Sequence, residues 1–405
     1  MPRRSLFLKV FGTASFTIVA VLYVALIVAV FRNDDKPLTT LAPKGVNAQT
    51  IQNLVAPVFG VAGVIFVAVF GAVLYITWRF RDRDDDTPMP SQVHGNSVLE
   101  VGWTALPALI LAAIAVFTVI TIIKLEQRSD DALAVRVYGQ QWWWSYQYDV
   151  DGDGSYDGQG DITTANELVI PAGREVSLTI SSHDVIHSFW IPALNGKKDA
   201  VPGMDSHWKI EADQPGVYMG QCTEFCGLSH ANMRMVVRAL DPAQFDEWVA
   251  NQQRPARSPE PGSLAAAGEA QFGNLCAQCH VVNGKFEKAE ETPPPLLSGV
   301  APNLTHLMTR GTFAGSIFNL YYPQQPGAPV PTPGDPTDAS TPGDPGDALF
   351  GGTSAYPVNR VTLEAWLRNP PAMKPAAATQ KRGMPNLGLS EQQIDELVAY
   401  LETLK

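Results

Sequence analysis

Cys222-Thr-Glu-Phe-Cys226-Gly-Leu-Ser-His230-Ala-Asn-Met233 places two thiols, an imidazole and a thioether within twelve residues. Soft thiolate and thioether sulfur together with imidazole suits copper, whereas carboxylate and carbonyl oxygens suit Mg or Ca. The segment follows the turn signal Gln214-Pro215-Gly216 and precedes the alternating run Met233-Arg234-Met235-Val236-Val237. It therefore reads as a ligand loop between two β-strands. A further ligand is needed from elsewhere, and His187 in His183-Asp-Val-Ile-His187-Ser-Phe-Trp is the candidate. A Cys222–Cys226 disulfide would have no need of His230, and a zinc site would have no need of Met233.

Around this loop, residues 133–240 carry short alternating stretches such as Ala134-Val135-Arg136-Val137 and Glu175-Val176-Ser177-Leu178-Thr179-Ile180. Turn signals at Pro171-Ala172-Gly173 and Asn195-Gly196 separate them, which predicts a small all-β sandwich or barrel. Asp241-Pro242 opens a short helix, with Asp as cap and Pro at the first helical position. Residues 252–263 (QQRPARSPEPGS) form a polar, Pro-rich linker and a domain boundary. Beyond it the pattern is helical, ending in a helix whose capping box pairs Ser390 with Gln393 and whose inner face carries Ile394, Leu397, Val398 and Leu401. Residues 323–347 hold 8 Pro and 4 Gly, a surface insertion unable to build a core.

On the N-terminal side, residues 10–31, 51–78 and 101–123 are uncharged over 22, 28 and 23 residues. About 20 apolar residues at about 1.5 Å each cover a bilayer core of about 30 Å, so each can span. The first, preceded by Arg3, Arg4 and Lys9, reads either as a cleaved signal or as an uncleaved anchor. Arg3 and Arg4, and the loop bearing Arg79, Arg81 and Arg83, stay inside, leaving everything after Lys124 outside. The net charge of −11 argues against a nucleic-acid binder. Four Cys in two close pairs are too few for a disulfide-rich secreted fold.

The second pair lies in Cys276-Ala-Gln-Cys279-His280, the C-x-x-C-H signature of covalent c-type haem attachment at the end of a predicted helix. Cys276 and Cys279 would form the thioethers and His280 one axial bond. A redox C-x-x-C would need no His, and zinc would need two more ligands. A methionine is the expected sixth ligand. Met308, Met373 and Met384 are the candidates.

The region from about Asn53 to Leu240 resembles subunit II of cytochrome c oxidase: two membrane spans, then a cupredoxin-like sandwich. Its other marks are Gly139-Gln-Gln-Trp-Trp-Trp-Ser-Tyr146 and Asp199-Ala-Val-Pro-Gly203. The resemblance implies a binuclear CuA centre in which Cys222 and Cys226 bridge both coppers. His187 and His230 would each ligate one copper, Met233 would be a weak ligand, and Glu224 would contribute its carbonyl. It also implies that electrons enter at Trp142, that the Glu224 side chain faces a magnesium shared with the catalytic subunit, and that Glu100 opens a proton path. Gln140 and Trp143 depart from the family's usual His and Tyr. The C-terminal part resembles the cytochrome c domain fused to caa3-type oxidases, through Pro302-Asn-Leu-Thr-His306, Trp366-Leu-Arg-Asn-Pro370 and Arg382-Gly-Met384-Pro385. That favours Met384 over Met373 as the haem ligand.

The expected fold class is thus a multidomain membrane protein: N-terminal transmembrane helices, an all-β cupredoxin-like sandwich and an all-α cytochrome c domain. The expected boundaries are 1–50, a signal or first anchor with a short outer segment; 51–128, a transmembrane hairpin; 129–251, the CuA domain; 252–263, the linker; and 264–405, the cytochrome c domain. The resemblance implies a bacterial plasma membrane location with both domains outside. It implies partnership with a haem–copper catalytic subunit and other oxidase subunits, and soluble cytochrome c or a quinol–cytochrome c reductase as donor. A CuA-bearing nitric oxide reductase, or a copper delivery or sensing protein, are the rival functions. Asp149-Val-Asp-Gly-Asp153-Gly and Asp157 look partly like a calcium loop, but Gly160 stands where a bidentate Glu is expected, so a polar hairpin is the better reading. His94, His183, His207 and His306 are read as structural or surface residues.

Overall fold

The computed structural model describes residues 17–26, 28, 38–81, 91–92, 94–156, 160–283, 301–321, 357–376 and 382–405. Most of the first apolar segment, Arg83, Asp157 and the 323–347 insertion lie outside the described residues. The chain divides into two compact units, residues 1–43 with 49–127 and residues 44–48 with 128–405.

The first unit holds α1 (Thr17–Leu26), α2 (Val46–Arg79) and α3 (Ser97–Glu126). At about 1.5 Å per residue, the 34-residue and 30-residue helices are each long enough to cross a membrane by length and composition. In α3 no residue is buried, and Leu106, Leu109, Leu111, Phe117 and Ile123 are all exposed. An apolar helix with no polar face and no covering of its own is built for a hydrocarbon solvent. Its start is fixed by Asn96, whose side chain accepts from the amides of Val98 and Leu99.

In the second unit ten strands follow in the order β1 (Leu133–Gln140), β2 (Trp143–Asp149), β3 (Ile162–Ala165), β4 (Glu167–Pro171), β5 (Val176–Ser182), β6 (His187–Phe189), β7 (Lys198–Ala200), β8 (Ser206–Ile210), β9 (Gly216–Gln221) and β10 (Arg234–Leu240). They make a five-stranded sheet ordered β3-β2-β1-β5-β8, a three-stranded sheet ordered β4-β10-β9, and the pair β6-β7. Period-two alternation builds the core. Val135 and Val137 pair in register with Leu178 and Ile180 across the parallel β1–β5 ladder, and all four are fully buried. Trp144, Tyr146, Phe189, Leu168 and Ile170 fill the same core.

The helix α4 (Pro242–Gln252) begins where expected, with Pro at the first turn, but the Asp241 side chain makes no capping hydrogen bond. The Pro-rich segment after it is held in place: Asn283 bonds both the amide and the carbonyl of Ala256, and the Arg254 carbonyl faces His306 Nε2 at 2.9 Å. Then come α5 (Leu264–Leu275), the hairpin β11 (Thr312–Phe313) with β12 (Phe318–Asn319), α6 (Arg360–Arg368), α7 (Pro370–Met373) and α8 (Glu391–Leu401). The hairpin departs from the all-α expectation for this region. Ser390 and Gln393 form the expected capping box of α8, a contribution of about 1 kcal/mol. Ile394, Leu397, Val398 and Leu401 are buried with Phe272 and Tyr400 in a second core.

Candidate metal centre

The loop between β9 and β10 delivers the sulfur ligands. The Cys222 amide donates to the Met233 carbonyl at 2.9 Å, closing the loop at its base. A short 3-10 turn from His230 to Asn232 aims the imidazole back into it. Cys222 Sγ lies 3.9 Å from Cys226 Sγ and 3.9 Å from His187 Nδ1. Cys226 Sγ lies 3.5 Å from His230 Nδ1 and 3.8 Å from Met233 Sδ. The Glu224 carbonyl oxygen is 3.4 Å from Cys222 Sγ. Ligand atoms of His187, Cys222 and Cys226 all fall within 4.8 Å of one another. All six residues singled out in the sequence thus meet in one place, four of them buried: His187, Cys222, Cys226 and Met233.

The electrostatics suit a thiolate site. The hydrogen bond shared with Cys226 holds the Cys222 thiol well below the usual thiol range, with help from His187 and against burial. Cys226, sharing that hydrogen bond, buried and facing the Cys222 charge, is pushed far up. A bound cation would displace the proton the pair shares. Burial pulls His187 down, but hydrogen bonds with Asp184 and Cys222 outweigh it and raise its pKa.

Asp184 is the residue that sequence reading passed over. Its Oδ1 sits 2.9 Å from His187 Nε2, and its Oδ2 accepts from the Gln141 amide at 2.8 Å. Holding Nε2 leaves Nδ1 turned to the thiols, the arrangement by which an outer carboxylate fixes a ligating histidine. Only its place three residues before His187 hinted at this. Gly139 is required here as well: a Cβ on it would lie 2.8 Å from His187 Cδ2 and 3.1 Å from Trp144 Cζ3.

Trp142 is buried, and its Nε1 donates to the Cys226 carbonyl at 3.1 Å. Gln141 Nε2 donates to the same oxygen at 2.7 Å. His183 is exposed and stacks on Tyr138 with centroids 4.1 Å apart. Glu100 stands in the first turn of α3, its Oε1 accepting from the Asn96 amide at 3.3 Å.

In the second core α5 ends at Leu275, and one more turn carries the amides of Cys279 and His280 to the Cys276 carbonyl at 3.0 and 2.9 Å. Both thiols and the imidazole therefore sit on consecutive turns. His280 Nδ1 lies 2.8 Å from the Pro302 carbonyl, which uses one ring nitrogen and leaves Nε2 for a metal. Burial lowers the His280 pKa, favouring the neutral ring that ligation needs. Burial also pushes the Cys276 thiol up to about 11. Met308 is bound into the core, its carbonyl accepting from Tyr321 Oη at 2.6 Å and its sulfur lying 3.7 Å from that hydroxyl. Met373 and Met384 are half-buried against the second core. His306 has both nitrogens beside carbonyls, of Lys405 and Arg254, and is structural. Asp149, Asp151 and Asp153 converge, but Asp149 already accepts from the amides of Gly152 and Gly154, as a polar hairpin would.

The sandwich thus gathers two thiols, two imidazoles and a thioether in one cluster, a donor set suited to copper, in a chain that also holds two membrane-length helices. The family described as cytochrome c oxidase subunit II matches in two parts, its transmembrane domain at residues 42–120 and its periplasmic domain at 133–240. The chain is 31% identical over 380 residues to cytochrome c oxidase subunit 2 of Alkalihalophilus pseudofirmus, covering 92% of each. It is 30% identical over 339 residues to the protein of the same description from Bacillus sp. strain PS3, covering 80% of this chain and 79% of that one. The crystal structure of the periplasmic domain of subunit II of cytochrome oxidase from Bradyrhizobium japonicum is similar at 29% identity, covering 31% of this chain and 96% of that one with a TM-score of 0.28. This chain belongs to the cytochrome c oxidase subunit II family. It is a membrane protein with an outer-face domain of the copper-binding CuA type, and a subunit of a haem–copper oxidase complex with a catalytic partner.

Proposed function

We propose that this subunit is of the caa3 type, passing electrons from a covalent haem c of its own to CuA and on to the catalytic subunit for oxygen reduction coupled to proton translocation. The observation that supports the reading is that Trp142 touches both the copper loop and the segment bearing Gly383 and Met384 within one compact unit. Its indole donates to the Cys226 carbonyl, and a Cβ on Gly383, the neighbour of Met384, would lie 3.7 Å from its Cζ3. The match to the A. pseudofirmus protein adds support, since at 92% of this chain it reaches well past the two family domains.

The residues present fit both groups. Cys222, Cys226, His187, His230, Met233 and the Glu224 carbonyl would together hold the copper pair. Cys276 and Cys279 would carry the haem, and His280 and Met384 would hold its iron. Bound there, the copper pair and the haem iron supply reversible one-electron chemistry. The protein's part is to hold the ligands still: Asp184 fixes His187, the Pro302 carbonyl fixes His280, and burial of His187, Cys222, Cys226 and Met233 shields those donors from water. Trp142 is the point where electrons reach the copper loop, and the Glu224 carboxylate faces a magnesium shared with the catalytic subunit. Glu100 opens a proton path from the inner face, with α2 and α3 spanning the membrane as a pair. The boundaries 129–251, 252–263 and 264–405 remain the proposed division of the outer part. The donor is a soluble cytochrome c or a quinol–cytochrome c reductase.

A nitric oxide reductase would differ in the partner subunit, so the test is on the assembled complex. Purified through this chain, it should consume oxygen with reduced cytochrome c as donor. A complex that reduces nitric oxide and leaves oxygen untouched would contradict the reading.

A further inference from the structure

The contact between the sandwich and the C-terminal region is made chiefly by the β11–β12 hairpin, whose turn has three successive residues with positive φ: Ala314 at 55°, Gly315 at 82° and Ser316 at 57°. Alanine and serine are strained in that region and stay there only where the surroundings enforce it. The sandwich supplies the enforcing contacts. Glu167, 2% exposed, accepts from the Gly311 amide at 2.8 Å, the Thr312 amide at 2.7 Å and the Thr312 hydroxyl at 2.7 Å. Its other oxygen pairs with Arg238 at 3.1 Å. The Arg234 amide donates to the Gly315 carbonyl at 3.1 Å, and Ser316 Oγ to the Asn166 carbonyl at 3.2 Å.

At the centre of this contact lies Lys374. Its Nζ donates to the Trp142 carbonyl at 2.7 Å and to the Ala314 carbonyl at 2.8 Å, one acceptor on each side of the contact. Gly315 passes so close that a Cβ there would be 2.3 Å from Nζ, 3.1 Å from the Asn232 carbonyl oxygen and 3.2 Å from that of Trp142. Burial brings the Lys374 pKa down to about 7. Charged or neutral, the amino group has the two N–H donors that these carbonyls require.

We propose that Lys374 is a positioning residue for electron transfer, a strut joining the backbone of Trp142 to the β11–β12 turn so that the segment bearing Gly383 and Met384 stays seated against the indole. This rests on the relay proposed above, in which one electron leaves ferrous haem c, oxidising it to ferric, and reduces the copper pair by one, with no bond or proton exchanged. Tunnelling falls steeply with distance, so a fixed contact gives one rate where a swinging domain would give many. The sequence held no sign of this pairing, because Lys374 and Trp142 are 232 residues apart.

The test uses the full chain in the assembled oxidase. Lys374→Met keeps the length of the side chain and removes both donors. It should slow haem-to-copper transfer after pulse reduction by about tenfold or more, and speed amide exchange in residues 311–316, with copper and haem spectra unchanged. Lys374→Arg, which retains donors, should recover most of the rate. Gly315→Ala should reproduce the slowing with Lys374 intact, because its Cβ forces the turn away. An unchanged transfer rate in Lys374→Met, whether or not exchange rises, would overturn the proposal. A wild-type chain without covalent haem would overturn the relay itself, and that is seen before any variant is made.

Discussion

Cys222→Ser is expected to abolish the bridged copper pair while leaving the sandwich folded. The substitution is nearly isosteric at a fully buried position, so the core loses no volume that would open a cavity. The chemistry is lost instead. A serine hydroxyl is a hard donor that stays protonated near neutrality, and Cys226 alone cannot span two metal ions through two sulfurs. Removing the outer partner of a metal ligand costs about 10–100-fold in affinity, and removing a bridging ligand should exceed that. Asp184→Asn supplies the comparison, since it keeps every ligand but weakens the grip on His187 Nε2. Copper content and the near-infrared absorption of a mixed-valence pair measure both variants. Cys222→Ser should show no such band, and Asp184→Asn should bind copper within that 10–100-fold range. A full band in Cys222→Ser would mean that the metal sits elsewhere.

The second large effect is expected from replacing Cys276 and Cys279 together by Ala. Both thiols lie just past the end of α5, positioned by the turn that brings the Cys279 and His280 amides to the Cys276 carbonyl. Burial keeps both pKa values raised, so the free chain presents protonated thiols at neutral pH, with no disulfide in the structure. Without the thiols no thioether can form. Acid–solvent extraction should then strip all haem from the double variant, while wild-type retains it, and the copper band should persist in both. Pigment that survives extraction in the double variant would contradict the assignment.

What the sequence made legible was whatever is local. Two cysteines, a histidine and a methionine inside one loop mark a soft-metal donor set, and C-x-x-C-H is an equally local pattern. Membrane-length helices need only an uninterrupted apolar run, and the α8 capping box needs only Ser390 and Gln393 three residues apart. What was hidden depends on the third dimension. Asp184 looks like an ordinary loop aspartate until His187 Nε2 is seen against it. Glu167 and Arg238 come together because β4 pairs in parallel with β10, residues distant in sequence but adjacent in the ladder. The short β11–β12 hairpin has two-residue strands, too brief to carry a periodicity. The Pro-rich stretch after α4 reads as a free tether by composition, yet paired bonds from Asn283 to Ala256 hold it down.

The most direct measurement is metal and haem analysis of the full chain purified in detergent. Two coppers and one haem that resists extraction, per polypeptide, are the expected result. A colourless protein in which Cys222 is oxidised onto Cys226, or Cys276 onto Cys279, would contradict the account, because the centre that the oxidised pair should hold could not then form and the relay would be broken.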